Sequence, residues 1–71
     1  MEQIKLTLEA ARVNAGYTQQ EAADLFGVNV ATIGKWERGE IELKYIQLCG
    51  MAYVYKVPVE CIILPTEITK R

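Results

Sequence analysis

The apolar residues near the beginning of the chain recur with the spacing of a helix. They lie three or four positions apart, so that one helical face would carry Ile4, Leu8, Ala11 and Ala15. Gly16 follows directly, and glycine readily takes the left-handed conformation that ends a helix. The pattern therefore predicts a first helix that stops at Gly16.

A complete capping box marks the beginning of a second helix. The hydroxyl of Thr18 can accept a hydrogen bond from the backbone amide of Glu21, whose carboxylate can accept one from the amide of Thr18. The helix is expected to continue to Leu25 or Phe26 and to end at Gly27.

The third helix is predicted to cover about residues 30–38. Asn29 is a preferred residue type for the position before a helix, and Gly39 suits the position after it. Only Val28 separates Asn29 from Gly27, so two short helices would meet across a turn that contains glycine. This arrangement is typical of a helix-turn-helix motif.

A fourth helix is predicted from Lys44 to Tyr55. Its most regular apolar stripe contains Leu48, Met51, Ala52 and Tyr55. Pro58 suits the first turn of a short fifth helix over residues 59–63, although residues 61–64 are apolar enough to form a strand.

The chain of 71 residues has the size of one small domain. We expect an all-α, five-helix domain over residues 1–64, followed by a polar tail over residues 65–71. No segment approaches the ~20 apolar residues of a membrane span, and the N-terminus lacks a signal peptide's basic and then apolar pattern. The expectation is a cytoplasmic protein without a membrane partner.

The residues that catalysis and metal binding need are scarce. Histidine is absent, and Cys49 and Cys61 are the only cysteines, too few ligands for a tetrahedral zinc site. Both thiols are expected to be small buried hydrophobes. No glycine-rich phosphate loop follows a strand, and no nucleophile–base pair is evident. We therefore predict no enzyme activity, no metal, no cofactor and no small-molecule substrate.

The two sides of the third helix differ in character. At about 100° per residue, one side carries small or basic residues: Val30, Ala31, Gly34, Lys35 and Arg38. The opposite side carries Ile33, Trp36 and Glu37. The bulky side would anchor the helix on the core, and the other would fit a DNA major groove. Since the net charge is −1, any DNA contact has to come from such a local basic face.

Together these features resemble the phage repressor and Cro family of helix-turn-helix domains. The resemblance is strongest in the run G-Y-T-Q-Q-E-A-A-D-L-F-G-V-N-V-A-T-I-G-K-W-E-R-G at residues 16–39. In all, it covers about residues 4–63. It implies a repressor-type fold whose third helix lies in the major groove of a double-stranded DNA operator. The implied function is transcriptional control.

The resemblance also implies roles for individual residues. Positions that face base edges correspond to Val30, Ala31 and Lys35, and we add Gly34, which would either let DNA approach the backbone closely or be a neutral surface residue. Positions that contact phosphate correspond to Gln19, Asn29, Thr32 and Arg38, and we add Lys44. Gln19 would also brace the third helix.

One pair of charged residues is expected to join the first helix to the third. Arg12 and Glu37 correspond to positions that form such a pair in the family, and Glu37 lies on the inward side of its helix. A buried glutamate needs a partner, because an unpaired buried charge is costly. The alternative is two independent surface charges.

The sequence departs from the family in the residues that would read DNA. Val30 and Ala31 offer no hydrogen bonds, so base recognition would depend on Lys35 and on apolar contacts with thymine methyl groups. Glu40 and Glu42 occupy a loop that is commonly basic and near phosphate, where their charges would be repelled. These changes lower the expected affinity and leave the expected fold unchanged.

The chain has more apolar residues than one small core should need. Residues near Tyr53, Cys61, Ile62 and Leu64 are therefore predicted to form an isologous contact in a homodimer that reads two half-sites. In the alternative, the C-terminal segment folds back and completes the core of the monomer.

Two other functions fit the same fold. The acidic balance and the surplus of apolar residues would suit a protein–protein interaction module that has lost DNA binding. The chain could equally be the DNA-binding antitoxin of a toxin–antitoxin pair, or a domain of a longer repressor. A positive surface over the third helix would favour DNA binding over the interaction module.

Overall fold

The computed structural model describes residues 5–65. Within them the chain forms four α-helices, one short 3-10 helix and two short strands. In chain order these are β1 (Leu6–Thr7), α1 (Leu8–Asn14), α2 (Gln19–Phe26), α3 (Val30–Arg38), α4 (Tyr45–Tyr55), the 3-10 helix Val59–Cys61 and β2 (Ile62–Ile63).

Helices α2 and α3 form the predicted motif, and their ends are set by the predicted residues. The amide of Glu21 donates to the hydroxyl of Thr18 over 3.1 Å, and the amide of Thr18 donates to the Glu21 carboxylate over 2.9 Å. The amide of Ala31 donates to the Asn29 side chain over 2.8 Å. Both helices end at left-handed glycines, with φ of 68° at Gly27 and 75° at Gly39. These predictions are confirmed.

The core lies between α1, the two helices of the motif and α4. Its buried apolar residues are Leu8, Ala11, Ala22, Ala23, Ile33, Trp36, Leu48, Met51, Ala52, Tyr55 and Ile62. Ile33 and Trp36 anchor α3 on this core, and the predicted stripe of α4 faces it. The side chains that fix the position of α3 are thus buried as expected.

The prediction of five helices is wrong. Val59–Cys61 is a single 3-10 turn, and the chain then becomes extended as β2. This strand pairs in parallel with β1, in the register Leu6 with Ile62 and Thr7 with Ile63. The backbone of the apolar segment finds its hydrogen-bond partners in the neighbouring strand, and β-branched isoleucine suits that conformation.

The first helix is also shorter than its apolar spacing indicates. It begins at Leu8, because Thr7 is extended and its hydroxyl accepts a hydrogen bond from the amide of Ala10 over 3.1 Å. Ile4, which the pattern placed on the same face, lies outside the described residues, as does most of the predicted polar tail.

Cys49 and Cys61 are free thiols and both are only half-buried, so the prediction that they are buried is wrong. Cys49 lies on α4 and Cys61 is the last residue of the 3-10 helix. None of the helices in the described part of the chain has the length and apolar character that crossing a membrane requires.

Tyr55 is a buried residue of the core, and both its aromatic ring and its hydroxyl group lie inside the domain. The ring centroid lies 6.2 Å from that of Tyr17 and 5.9 Å from that of Phe26, with an edge-on arrangement against Phe26. Among the described residues, its buried hydroxyl has no hydrogen-bond partner. Burial raises the pKa of Tyr55 to about 12.

Replacing Tyr55 with phenylalanine is therefore expected to leave the free energy of unfolding at pH 7 unchanged, or to raise it by up to ~1 kcal/mol. In the wild type, stability should fall as the pH rises from 10 towards 12, because the unfolded chain loses the phenolic proton near pH 10 and the native protein retains it. The variant should lose less stability over that range in urea unfolding experiments. Parallel curves for both proteins would contradict the raised pKa of Tyr55 in the native protein.

Candidate nucleic-acid interface

Helix α3 presents one side to solvent. Val30, Ala31, Lys35 and Arg38 are exposed there, as the helical wheel predicts. Gly34 lies on the same side but is buried, because the guanidinium of Arg38 covers it. The prediction that Gly34 opens the helix backbone to a partner is therefore wrong for this conformation, since a side chain of the same helix takes the space.

A buried polar network joins α3 to the first two helices. Arg12 Nε donates to Glu37 Oε2 over 2.6 Å, and Gln19 Nε2 donates to Glu37 Oε1 over 2.9 Å. Arg12 Nη1 also donates to the backbone carbonyl of Tyr17 over 2.8 Å. The predicted pair of Arg12 and Glu37 is confirmed.

This pair is removed from solvent on both sides. The side chains of Arg12 and Glu37 are 8% and 3% exposed. The hydrogen bond to Glu37 raises the pKa of Arg12 and outweighs the opposing effect of burial. The pair therefore joins the end of α3 to α1 inside the domain.

Gln19 is the first residue of α2, and its amide group braces α3 through Glu37. The sequence indicated the bracing role only through the resemblance, and it did not indicate that the bond would go to Glu37. The donation to Glu37 uses one of the two N–H groups of the amide. A phosphate contact through Gln19 stays a prediction.

The other predicted phosphate contacts lie at the ends of helices. Asn29 is exposed before α3, with its side-chain oxygen engaged by Ala31, and Thr32 is half-buried in the first turn. Lys44 is exposed before α4, where its backbone amide donates to Gln47 Oε1 over 2.9 Å. Their contacts with phosphate stay predictions.

An ion pair at the end of α3 is a feature that the sequence did not indicate. Arg38 Nε donates to Glu40 Oε2 over 2.7 Å, and Arg38 Nη2 donates to Glu40 Oε1 over 3.3 Å. The contact raises the pKa of Arg38 and lowers the pKa of Glu40. Arg38 therefore already has a carboxylate partner in the absence of DNA. Glu42, the other acidic residue of this loop, is exposed.

The four residues proposed for a dimer contact have different environments. Tyr53 is 85% exposed, Cys61 and Leu64 are half-buried, and Ile62 is only 6% exposed. Ile62 belongs to the core of the monomer because β2 pairs with β1, so its assignment to an interface is wrong.

A helix-turn-helix with an anchored inner side and an exposed outer side is the architecture of a DNA-binding domain. A family model described as helix-turn-helix matches residues 8–60. The chain belongs to this family, which is of the Cro and C1 type. Its members are DNA-binding regulators of transcription and typically not enzymes. No curated protein and no solved structure matches the chain.

Proposed function

We propose that this protein regulates transcription by binding a double-stranded DNA operator, with α3 in the major groove. The observation that carries the proposal is the division of α3 into two sides. Ile33, Trp36 and Glu37 fix its inner side on the domain, and its outer side is exposed. Such a helix can enter a groove about 12 Å wide without rearrangement of the fold.

The exposed side of α3 offers two kinds of base contact. Lys35 can donate to the O6 and N7 atoms of guanine, and Val30 and Ala31 can pack against thymine methyl groups. The phosphate contacts that fix the register would come from the ends of α2, α3 and α4, through Gln19, Asn29, Thr32 and Lys44.

Selection of duplexes from a random DNA pool by the purified protein tests this function. The expected result is enrichment of a short half-site that contains guanine and thymine in the major groove. A protein-interaction module with the same fold would enrich no sequence over the starting pool, and that outcome would reject the proposed function.

The operator should be occupied by two copies of the chain that contact each other through one face of α4. Tyr45, Ile46 and Tyr53 are 69%, 79% and 85% exposed, and their spacing places them within one side of the helix. Helix α4 itself contains no charged residue, so contacts between these three side chains and their copies bring no like charges together.

The size of this face indicates a weak dimer. A tyrosine side chain has about 150–250 Å² of surface. At exposures of 69% for Tyr45 and 85% for Tyr53, the two rings together offer roughly 230–390 Å² per copy. Two such faces stay below the ~1,200 Å² of a standard interface. The free protein is therefore expected to be mainly monomeric, and a palindromic operator should bring two copies together by raising their effective concentration.

Replacing Tyr53 with glutamate should weaken the pairing of two copies on a palindromic operator. The two introduced carboxylates would lie close together across the two-fold contact and repel each other. The substitution would also remove the apolar area of the two tyrosine rings from the contact. Sedimentation of the protein with and without the operator measures how many copies bind together. The variant should bind as independent single copies, at higher concentration than the wild type.

The matched control is Leu25→Glu, because Leu25 is 54% exposed and lies on α2, away from this face. It adds the same charge and should leave the paired species intact. Wild-type protein that stays a single copy on the palindrome at high concentration would end the dimer proposal. Equal loss of pairing in both variants would reject this face of α4.

A further inference from the structure

The side chain of Arg38 folds back along the outer side of α3. Its guanidinium lies over Gly34, one helical turn closer to the beginning of the helix. A Cβ atom built at Gly34 would lie only 2.9 Å from Arg38 Nη1 and 3.6 Å from Cζ. The absence of a side chain at Gly34 is therefore what lets the guanidinium rest on the surface that faces the groove in the proposed complex.

Glu40 holds this guanidinium by one edge only. Its carboxylate accepts from Nε over 2.7 Å and from Nη2 over 3.3 Å. A guanidinium has five N–H donors in one plane. The edge formed by Nη1 and the second N–H of Nη2 is not used by Glu40, and the Arg38 side chain is 59% exposed. Two parallel donors on such an edge match the O6 and N7 acceptors of guanine.

We infer that Arg38 reads a guanine base and that Glu40 and Gly34 position it for this contact. The inference rests on the proposed function, and it replaces the phosphate contact that the resemblance assigned to Arg38. Arg38 would be a second base-reading cation beside Lys35.

The charge of the pair favours a base over a phosphate. Arg38 and Glu40 together are neutral, so a phosphate that approached Arg38 would also meet the nearby carboxylate and gain little Coulomb energy. The edge of guanine is uncharged and offers two acceptors, so the carboxylate does not oppose it. The same carboxylate limits the orientations of the arginine, which reduces the entropy lost when the base is bound.

The test compares the affinity of the protein for the selected operator and for operators with each other base pair at every half-site position. In the wild type, one guanine should be preferred by about 5- to 150-fold through Arg38. Arg38→Lys should remove most of that preference, because the ammonium group of lysine cannot hold the Glu40 carboxylate with one pair of donors and present a second, parallel pair to guanine. Glu40→Gln should reduce the preference at the same position.

Gly34→Ala tests the position of the guanidinium without removing it. The new methyl group should push aside the flexible end of Arg38, while alanine favours the helix more than glycine does. The preference for the same guanine should fall, and the melting temperature should not. Glu42→Gln is the matched control for Glu40→Gln; it removes an exposed charge from the same loop, so affinity should rise equally on all sequences at low salt.

The failure of this inference is distinct from the failure of the proposed function. If Lys35 determines base preference and Arg38→Lys weakens binding equally on every sequence, Arg38 contacts phosphate and the inference is wrong. If Glu40→Gln tightens binding on every sequence by more than Glu42→Gln does and leaves the preference for guanine unchanged, Glu40 competes with DNA for Arg38 and the inference is also wrong. If no sequence is preferred at all, both the inference and the proposed function fall.

Discussion

Replacing Glu37 with alanine is expected to lower the free energy of unfolding by about 3–5 kcal/mol. Glu37 accepts hydrogen bonds from Arg12 and Gln19, and its side chain is only 3% exposed. Its removal would leave the guanidinium of Arg12 charged and largely buried, with the carbonyl of Tyr17 at 2.8 Å and the exposed carboxylate of Glu9 at 3.9 Å still near it. Urea unfolding of the variant and the wild type measures the loss.

The same experiment has a matched control on the first helix. Glu9 also lies near Arg12, with 3.9 Å between Arg12 Nη2 and Glu9 Oε2, but its side chain is 66% exposed. Exposed ion pairs contribute about 0–1 kcal/mol, so Glu9→Ala should change stability by no more than that. Similar effects of the two substitutions on the free energy of unfolding would contradict the claim that Glu37→Ala is costly because it leaves a buried guanidinium unpaired.

Replacing Lys35 with alanine is expected to weaken binding to the selected operator by about 1–3 kcal/mol. Lys35 is exposed on the outer side of α3, between the apolar residues at its beginning and Arg38 at its end. Loss of its ammonium group removes a base contact, so preference should relax at one position of each half-site. Measured affinities for the operator and its single base-pair variants test both statements.

Lys44→Ala is the control for the loss of a positive charge. Lys44 is exposed before α4, where a phosphate contact is proposed. Its replacement should weaken binding by a similar factor on all sequences and reduce the dependence of affinity on salt by the equivalent of about one phosphate contact. If Lys35→Ala behaved in this way too, Lys35 would be a phosphate contact.

The elements that the sequence predicted correctly are those with local signals. Thr18, Glu21 and Asn29 cap helices through bonds to residues two or three positions away, and Gly27 and Gly39 end helices by their own conformation. Such bonds do not depend on the rest of the fold. The inward position of Ile33 and Trp36 followed from helical spacing, and the pair of Arg12 and Glu37 from the resemblance.

The features that the sequence did not predict depend on parts of the chain that meet only in the folded protein. Ile62 reads as part of an apolar helix or strand, and the strand β1, more than fifty residues earlier, determines that it is extended and buried. This is a tertiary effect on a segment with no polar face. The same pairing removed Ile62 from the predicted dimer surface.

The ion pair of Arg38 and Glu40 escaped prediction for a different reason. The two residues lie on either side of the helix end at Gly39, where the helical wheel no longer applies. Their contact depends on the left-handed turn at Gly39 and on the absence of a side chain at Gly34. The wheel showed Arg38 as outward, and it could not show where the guanidinium would lie.

The central proposal is that α3 reads the major groove, and substitution of inosine in the selected operator tests it most directly. Replacing A·T pairs by I·C changes the major-groove edge and leaves the minor-groove edge A·T-like, whereas replacing G·C by I·C removes only the minor-groove amino group. We predict that the first operator loses specific binding and that the second binds as the unmodified operator does. Retained binding of the first operator, with loss of binding by the second, would contradict the placement of α3 in the major groove.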